Sequence, residues 1–83
     1  MIFNTDKETI VKYLGKQPSR KIRPYLKKKK IFNNKGSEHS PKSIQNIING
    51  EYENIEVETA IFELVATSKK EQQKLNRIKQ NLN

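Results

Sequence analysis

Hydrophobic residues recur along the chain at the spacing of amphipathic helices, and turn residues separate the segments. The first segment carries Ile10, Val11 and Leu14 before Gly15. Apolar positions three and four residues apart share a helix face, and a glycine after the last of them is typical of a helix end. The letters TDKE, which begin at Thr5, fit a capping box. We therefore predict a short helix capped by Thr5, with Ile10, Val11 and Leu14 facing the core.

A second helix is predicted around Ile22 and Leu26. Ser19 is a residue type that caps helices. Pro24 would then lie past the first turn, where proline removes a backbone hydrogen bond and clashes with the preceding turn. Two starts are therefore open: a helix capped by Ser19, or a helix that begins near Arg23 after an extended lead-in.

The segment HSPKSIQNIING, residues 39–50, predicts the third helix. The preceding residues 32–39 are rich in Asn, Lys, Gly and Ser, which predicts a loop. Ser40 is a good N-cap, and Pro41 stands at the first helical position, where proline is favoured. The apolar positions are Ile44, Ile47 and Ile48. They share one face, and Gly50 ends the helix.

The last helix is predicted to follow Asn54 and to continue to the end, because no glycine or proline comes after Ile55. Its core-facing stripe consists of Val57, Ala60, Ile61, Leu64 and Val65. Beyond Ser68 the apolar positions thin to Leu75, Ile78 and Leu82. Their heptad spacing leaves two interpretations of this extension, a frayed tail or a dimerisation seam.

Together these segments predict an all-α fold, a small bundle of about four helices with an extended C-terminal helix. The chain has 83 residues, which is room for one small core. We therefore assign residues 1–66 to the domain and residues 67–83 to a helical extension that is a candidate for dimerisation.

The charges are sorted into blocks along the chain. Residues 16–42 carry ten Lys and Arg side chains against Glu38 alone, and residues 43–63 carry five Glu and no base. The net charge of the whole chain is +8. This segregation predicts a basic surface for a polyanion and an acidic segment that faces elsewhere.

The composition also argues against several classes of protein. There is no cysteine, which excludes disulfides and cysteine-based metal sites. The N-terminal letters MIFNTDKETI lack the layout of a signal peptide, and no run of about 18 apolar residues exists. His39 is the only histidine, so no nucleophile and base pair of the usual kind is present. We expect a cytoplasmic protein that is not an enzyme, with no cofactor, metal site, small-molecule ligand or membrane contact.

A family resemblance is carried by residues 40–66. The third predicted helix has a small capping residue, isoleucines and a closing Asn-Gly at Ser40, Ile44, Ile47, Asn49 and Gly50. An amphipathic helix follows after a short loop. This pattern resembles the lambda-repressor-type helix-turn-helix family of phage and bacterial regulators. The predicted loop 32–39 is longer than the three or four residues usual between such helices. The resemblance implies a helix-turn-helix DNA-binding domain over residues 1–66, with Ser40 to Gly50 as recognition helix.

A recognition helix enters the major groove with its N-terminal turns against the base edges. The resemblance therefore implies base contacts from Pro41, Lys42, Ser43 and Asn46. Lys42 can donate to guanine, Asn46 can pair with adenine, and Ser43 can bond either way. Pro41 offers an apolar contact. Gln45 lies one step round the helix and can reach a flanking base or phosphate.

Phosphate contacts are predicted from both helices of the pair. Asn49 matches the family's residue at the helix end, and Ser40 lies where free N–H groups attract phosphate. The basic block adds candidates for sequence-independent affinity. These candidates are Arg20, Lys21, Arg23, Lys27 and Lys28, with Lys35 in the loop.

The sequence thus predicts sequence-specific binding of double-stranded DNA by a small transcriptional regulator of phage or mobile-element type, associated with the nucleoid when bound. Such proteins bind as dimers at paired half-sites, and Leu75, Ile78 and Leu82 are the predicted dimerisation residues. Two alternatives remain open at this point. One is a protein–protein module such as an antitoxin, inhibitor or adaptor, and the other is RNA binding through the basic face.

Overall fold

The computed structural model describes residues 1–82, and Asn83, the last residue of the predicted extension 67–83, lies outside the described residues. The described chain folds into helices without any strand. The helices are α1 (Asn4–Leu14), α2 (Ser19–Lys28), α3 (Pro41–Ile48) and α4 (Ile55–Leu82). The predicted all-α fold with an extended last helix is confirmed.

One isoleucine from each helix occupies the centre of the core. Ile10, Ile22, Ile44 and Ile61 are each 0% exposed. Burying a side chain of this size contributes about 1.5–3 kcal/mol, so these faces supply much of the stability of a small domain. The long helix α4 contacts all three other helices, and α2 also contacts α3. The first half of α4 is therefore the support on which α2 and α3 are held.

The start of α1 differs from the prediction. The N-cap is Phe3, whose backbone N–H donates to the Asp6 carboxylate at 3.1 Å. Thr5 lies inside the first turn, so the prediction that it caps the helix is wrong. In a capping box the carboxylate three residues after the cap accepts from the N–H of the cap residue. Asp6 does this for Phe3, where Glu8 was predicted to do it for Thr5.

The core face of α1 is narrower than predicted. Ile10 and Leu14 are buried, but Val11 is 37% exposed. Successive residues are rotated by about 100° round a helix, so Val11 cannot share the direction of both. The assignment of Val11 to the core is therefore wrong, while the predicted end of the helix at Gly15 is confirmed.

The prediction that Ser19 caps α2 is off by one residue, and the alternative start near Arg23 is off by four. Pro18 is the N-cap and is itself in the helical region, with φ −62° and ψ −27°, and Ser19 is the first helical residue. The Pro18 carbonyl accepts from the N–H groups of Lys21 and Ile22, both at 3.0 Å. Pro24 lies inside the helix on its exposed side. There the missing N–H costs one intrahelical bond without leaving a buried carbonyl unpaired.

The C-terminus of α2 is closed by a lysine in a left-handed conformation. Lys30 has φ 59°, its N–H donates to the Lys27 carbonyl at 3.1 Å, and the Ile31 N–H donates to the Leu26 carbonyl at 2.9 Å. This pair of bonds is the Schellman motif, in which glycine usually stands where Lys30 does. Ile31 packs against the core beside it.

Replacing Lys30 by glycine is expected to raise the free energy of unfolding by about 0.5–1 kcal/mol, because the left-handed conformation is strained for a residue with a Cβ. Urea denaturation measures the change. Lys29→Gly is the matched control, since Lys29 has φ −81° and gains nothing from glycine. Equal effects of the two substitutions would contradict the explanation.

The connection between α2 and α3 spans residues 29–40, which is longer than the predicted loop 32–39 because the turn closing α2 is added to it. Asn33 organises the loop. Its side-chain oxygen accepts from the N–H groups of Lys35 at 2.9 Å and Ser37 at 3.0 Å. The Asn33 N–H in turn donates to the Ser37 carbonyl at 2.8 Å. A single asparagine thus folds the loop back on itself.

The start of α4 is fixed by side chains that cap it. The Asn54 side chain accepts from the Val57 N–H at 3.2 Å, as predicted for an N-cap, and the Glu58 carboxylate accepts from the Asn54 N–H at 2.8 Å. Glu58 is buried and lies 2.7 Å from the ammonium group of Met1. That hydrogen bond is the main cause of the raised pKa of the Met1 amino group.

A polar contact on the surface joins α2 to α4. The Tyr25 hydroxyl donates to Glu63 at 2.9 Å, and the Lys29 ammonium lies 3.5 Å from the same carboxylate. The hydrogen bond from Tyr25 and the charge of Lys29 lower the pKa of Glu63. The carboxylate therefore stays ionised to lower pH in the folded chain, and the contribution of this contact is lost as pH falls through that lowered pKa.

The second half of α4 extends beyond the bundle. The described chain measures 52 × 27 × 18 Å, and every described residue from Lys69 onward is exposed. Leu75, Ile78 and Leu82 are 50%, 48% and 79% exposed. No helix within residues 1–82 has both the length and the apolar composition needed to cross a membrane.

Candidate nucleic-acid interface

The N-terminus of α3 is held by the residues that the sequence singled out. The Ser40 hydroxyl accepts from the Ser43 N–H at 3.1 Å, and Pro41 is the first helical residue. Ile44, Ile47 and Ile48 are buried, which fixes the rotation of the helix about its axis. The short helix therefore has one defined face toward solvent.

The C-terminus of α3 is equally constrained. Asn49 is the C-cap, Gly50 has φ 81°, and the Glu51 N–H donates to the Asn46 carbonyl at 3.0 Å. A Cβ at Gly50 would lie 2.9 Å from the carbonyl oxygen of Ile2. Glycine is thus required here both by the backbone conformation and by the close approach of the N-terminal segment.

The solvent-facing side of α3 is polar along its whole length. The helical rotation of about 100° per residue places Lys42, Gln45, Asn46 and Asn49 opposite the three isoleucines. Lys42 and Asn49 are exposed, and Gln45 and Asn46 are half-buried. The Gln45 amide donates to the Asn49 side chain at 3.1 Å, one turn later. Lys42 and Asn46 lie at the centre of this face, and no described hydrogen bond occupies their side chains.

Ser43 and Pro41 lie at the two edges of this face. The Ser43 hydroxyl is 3.4 Å from Nδ1 of His39, a long contact, and lies toward the loop before α3. His39 is only 6% exposed, and within residues 1–82 its Nε2 has no hydrogen-bond partner. Pro41 is exposed on the opposite edge, toward α2. Of the five predicted base contacts, Lys42 and Asn46 are therefore the most central.

A groove with a volume of about 700 Å³ separates the exposed sides of α2 and α3. It is lined by Lys16, Gln17, Ser19, Arg20, Arg23, Pro24, Lys27, Glu38, Pro41 and Gln45. Three of the predicted phosphate contacts, Arg20, Arg23 and Lys27, thus share one surface with two predicted base contacts. We call this surface the basic groove.

The basic groove contains one carboxylate that sequence reasoning did not assign a role. Glu38 lies 3.5 Å from the guanidinium of Arg23 and 3.5 Å from the ammonium of Lys27. All three side chains are partly solvent-exposed, so these ion pairs contribute little to stability. Glu38 instead forms ion pairs with two of the cations that the sequence predicts as phosphate contacts. Its signal in the sequence was its isolation, as the one acid among ten bases.

The other predicted phosphate contacts lie outside the basic groove. Lys21 and Lys28 are exposed on the side of α2 that is turned away from α3, and Lys35 is exposed in the loop before α3. Ser40 caps α3 and uses its hydroxyl for that purpose. Lys16, which precedes α2 and lines the groove, was not predicted. It lies outside any helical period, so only the packing of the α1–α2 connection brings it there.

No three His, Asp or Glu side chains within residues 1–82 come together as a metal site would require.

Comparison of the chain with protein-family models, with curated proteins and with solved structures finds no match. Any assignment of function therefore depends on the geometry of the chain's own side chains.

Proposed function

We propose that the protein binds double-stranded DNA sequence-specifically, with α3 in the major groove and α2 against the phosphate backbone. The observation that carries this proposal is the position of the polar face of α3 directly beside the basic groove. A base-contacting surface and a phosphate-contacting surface must be adjacent for one duplex to reach both.

The dimensions and chemistry of α3 suit the major groove. An α-helix with its side chains is about 10–12 Å in diameter, which fits the major groove of about 12 Å, and the eight residues of α3 extend about 12 Å along it. Lys42 can donate to the O6 and N7 acceptors of guanine, and Asn46 can pair with N6 and N7 of adenine. Gln45 and Pro41 lie toward α2, where they would meet the flanking base pair.

The basic groove supplies the sequence-independent part of the affinity. Arg20, Arg23 and Lys27 lie along one side of α2, so together they can follow one phosphate strand. Each phosphate contact releases condensed counterions, which makes binding weaken steeply with salt. A small regulator of transcription is the role that fits such a protein, with Leu75, Ile78 and Leu82 available for self-association.

Selection of bound duplexes from a random pool tests the proposal. We expect a consensus sequence whose affinity falls by at least tenfold between low and physiological salt. Random duplexes bound without any consensus would contradict base contacts by α3. Tight binding to single-stranded or structured RNA in place of duplex DNA would favour the RNA alternative. Binding to neither, with retention of an acidic protein, would favour a protein–protein module.

Replacing Glu38 by glutamine is expected to raise the affinity for non-specific duplex DNA about threefold, because one negative charge beside Arg23 and Lys27 is removed within a Debye length of the phosphates. Fluorescence anisotropy with a random duplex measures the change. Glu8→Gln, an exposed carboxylate on α1, is the matched control and should leave the affinity nearly unchanged. A weaker complex with Glu38→Gln would mean that the ion pairs serve to position the cations.

A further inference from the structure

We infer that the exposed C-terminal part of α4 docks on the acidic side of α4 in a second copy of the chain, so that copies associate head to tail. We call residues 69–82 the tail. The surface that receives it, the acidic patch, consists of Met1, Ile55, Phe62 and Ala66 with Glu56 and Glu63 along one side.

The tail is amphipathic and basic. Leu75, Ile78 and Leu82 form its apolar stripe, and Lys74 and Lys79 flank the stripe on its two sides. Residues 69–82 carry five bases against Glu71 alone. A helix with an exposed leucine and isoleucine stripe between lysines requires a partner that is apolar at its centre and negative at its edges.

The acidic patch has these two properties. It is a shallow groove with a volume of about 590 Å³ that runs along α4 from Ile55 to Ala66. Ile55 is 75% exposed, Met1 60% and Phe62 37%, so large apolar side chains are uncovered along the groove. Four carboxylates lie at or beside the groove, against two cations, the Met1 ammonium and Lys29, so its surroundings keep a net negative charge. The four are Glu53, Glu56, Glu58 and Glu63. Charge and apolar content are therefore complementary between tail and patch.

Pairing of two tails with each other is disfavoured by the same charges. Each tail carries a net charge of +4. An interface between two tails would place Lys74 and Lys79 of one copy beside those of the other, and like charges across an interface are repulsive. The tail of one copy on the patch of another replaces this repulsion with attraction.

The two surfaces cannot both be satisfied by one symmetric pair of α4 helices. Counting about 100° per residue, the stripe at Leu75, Ile78 and Leu82 lies almost opposite Ile55 and Phe62 on the same straight helix. When the tail of a second copy covers the patch of the first copy, the tail of the first copy faces away from the second. That tail is then free to dock on the patch of a third copy. Such an interface is heterologous, and it propagates unless the rotation closes a ring.

One consequence rests on the proposed function. A two-fold dimer places its recognition helices on inverted half-sites, whereas head-to-tail copies place them in the same orientation. We expect the selected DNA to contain direct repeats. The association itself, however, requires no DNA.

The test mixes two variants that are each defective on one side, in the absence of DNA. The tail variant carries Leu75→Ser and Ile78→Ser, and the patch variant carries Ile55→Ser and Phe62→Ser. Sedimentation equilibrium measures mass up to about 1 mM protein, because so small an interface is expected to have a dissociation constant in the micromolar to millimolar range. Circular dichroism checks that both variants keep the helical content of the wild type.

We expect the wild-type mass to grow beyond a dimer and the growth to decline with salt. Each variant alone should remain a monomer, and an equal mixture should stop at a dimer, with one intact contact per pair. A patch variant that still dimerises would overturn the inference in favour of a tail–tail seam. A wild type that stays monomeric at every concentration would overturn self-association altogether.

A second pair of variants covers the case in which Phe62→Ser unfolds the chain. Glu56→Lys reverses a charge at the edge of the patch, and Lys74→Glu with Lys79→Glu reverses the flanks of the tail; all three side chains are exposed. Each reversal alone should abolish association. Mixing the two variants should restore it, because the wild-type tail of the Glu56→Lys variant meets the wild-type patch of the Lys74→Glu, Lys79→Glu variant. Association in the combined triple variant, and not in either parent, is the expected result.

Discussion

Replacement of Lys42 or Asn46 by alanine is expected to abolish most of the discrimination between the selected duplex and a scrambled one. Each good side-chain pair to a base edge contributes about 1–3 kcal/mol of discrimination, which corresponds to a loss of roughly 5- to 150-fold for each substitution. Both side chains lie at the centre of the exposed face of α3 and make no described hydrogen bond within the chain. Their removal therefore changes binding without disturbing the core.

The measurement is a pair of titrations, one with the selected duplex and one with the scrambled duplex, at the same salt concentration. The ratio of the two affinities should fall for Lys42→Ala and Asn46→Ala. Arg23→Ala should weaken both duplexes alike and reduce the salt slope by about one, because its proposed contact is with phosphate. Lys12→Ala, an exposed lysine on α1, controls for net charge.

A fall in affinity that is equal for both duplexes would contradict base contacts by α3, since Lys42 and Asn46 would then act as Arg23 does. If neither substitution changes any affinity, α3 does not face the duplex. The helix would then be a structural element whose polar side is simply solvated.

Replacement of Gly50 by alanine is expected to lower the free energy of unfolding by at least about 2 kcal/mol, the second large effect. The positive φ of 81° alone costs about 1–2 kcal/mol for a residue with a Cβ. The new Cβ would also lie 2.9 Å from the Ile2 carbonyl oxygen, so the N-terminal segment would have to move. Chemical denaturation measures the loss.

Gly36→Ala is the matched control. Gly36 also has a positive φ, of 78°, but nothing lies within 4 Å of the Cβ that alanine would add. The control isolates the conformational cost, and the difference between the two substitutions gives the cost of the close contact. Equal losses at both positions would mean that the Ile2 carbonyl yields freely and that the segment before α1 is not closely packed against α3.

The sequence predicted α3 almost residue by residue because several local signals agree there. A serine cap, a proline at the first helical position, three isoleucines at helical spacing and a glycine end each act over one or two turns. The fold class followed for the same reason. Local signals did not predict the start of α2 in this way. Pro18 and Pro24 lack an N–H group, and whether a helix tolerates each of them depends on the surroundings of the backbone groups that lose a partner.

The sequence predicted two sets of site residues, the base contacts on α3 and the phosphate contacts centred on α2. It did not predict which members of the two sets lie side by side on one surface. Periodicity indicated that Lys42 and Asn46 oppose the isoleucines, and the charge block indicated a basic element nearby. Which cations of α2 lie beside α3 depends on the orientation of α2 about its own axis. That orientation is set by the packing of Ile22 and Leu26 in the core. Arg23 and Lys27 therefore line the basic groove, while Lys21 and Lys28 do not. The role of Glu38 follows from the same packing.

The length of the connection from Lys29 to Ser40 also has a consequence for recognising related chains. Since the core holds α2 and α3 in place, and no tight turn joins them, the loop between them is free to change in length. Doubling a flexible loop costs only about 0.6 kcal/mol. We expect relatives to keep the isoleucine spacing of α2, α3 and α4 around a gap of variable size at residues 33–37. A search pattern that fixes the helices and leaves that gap open is the one suited to find them.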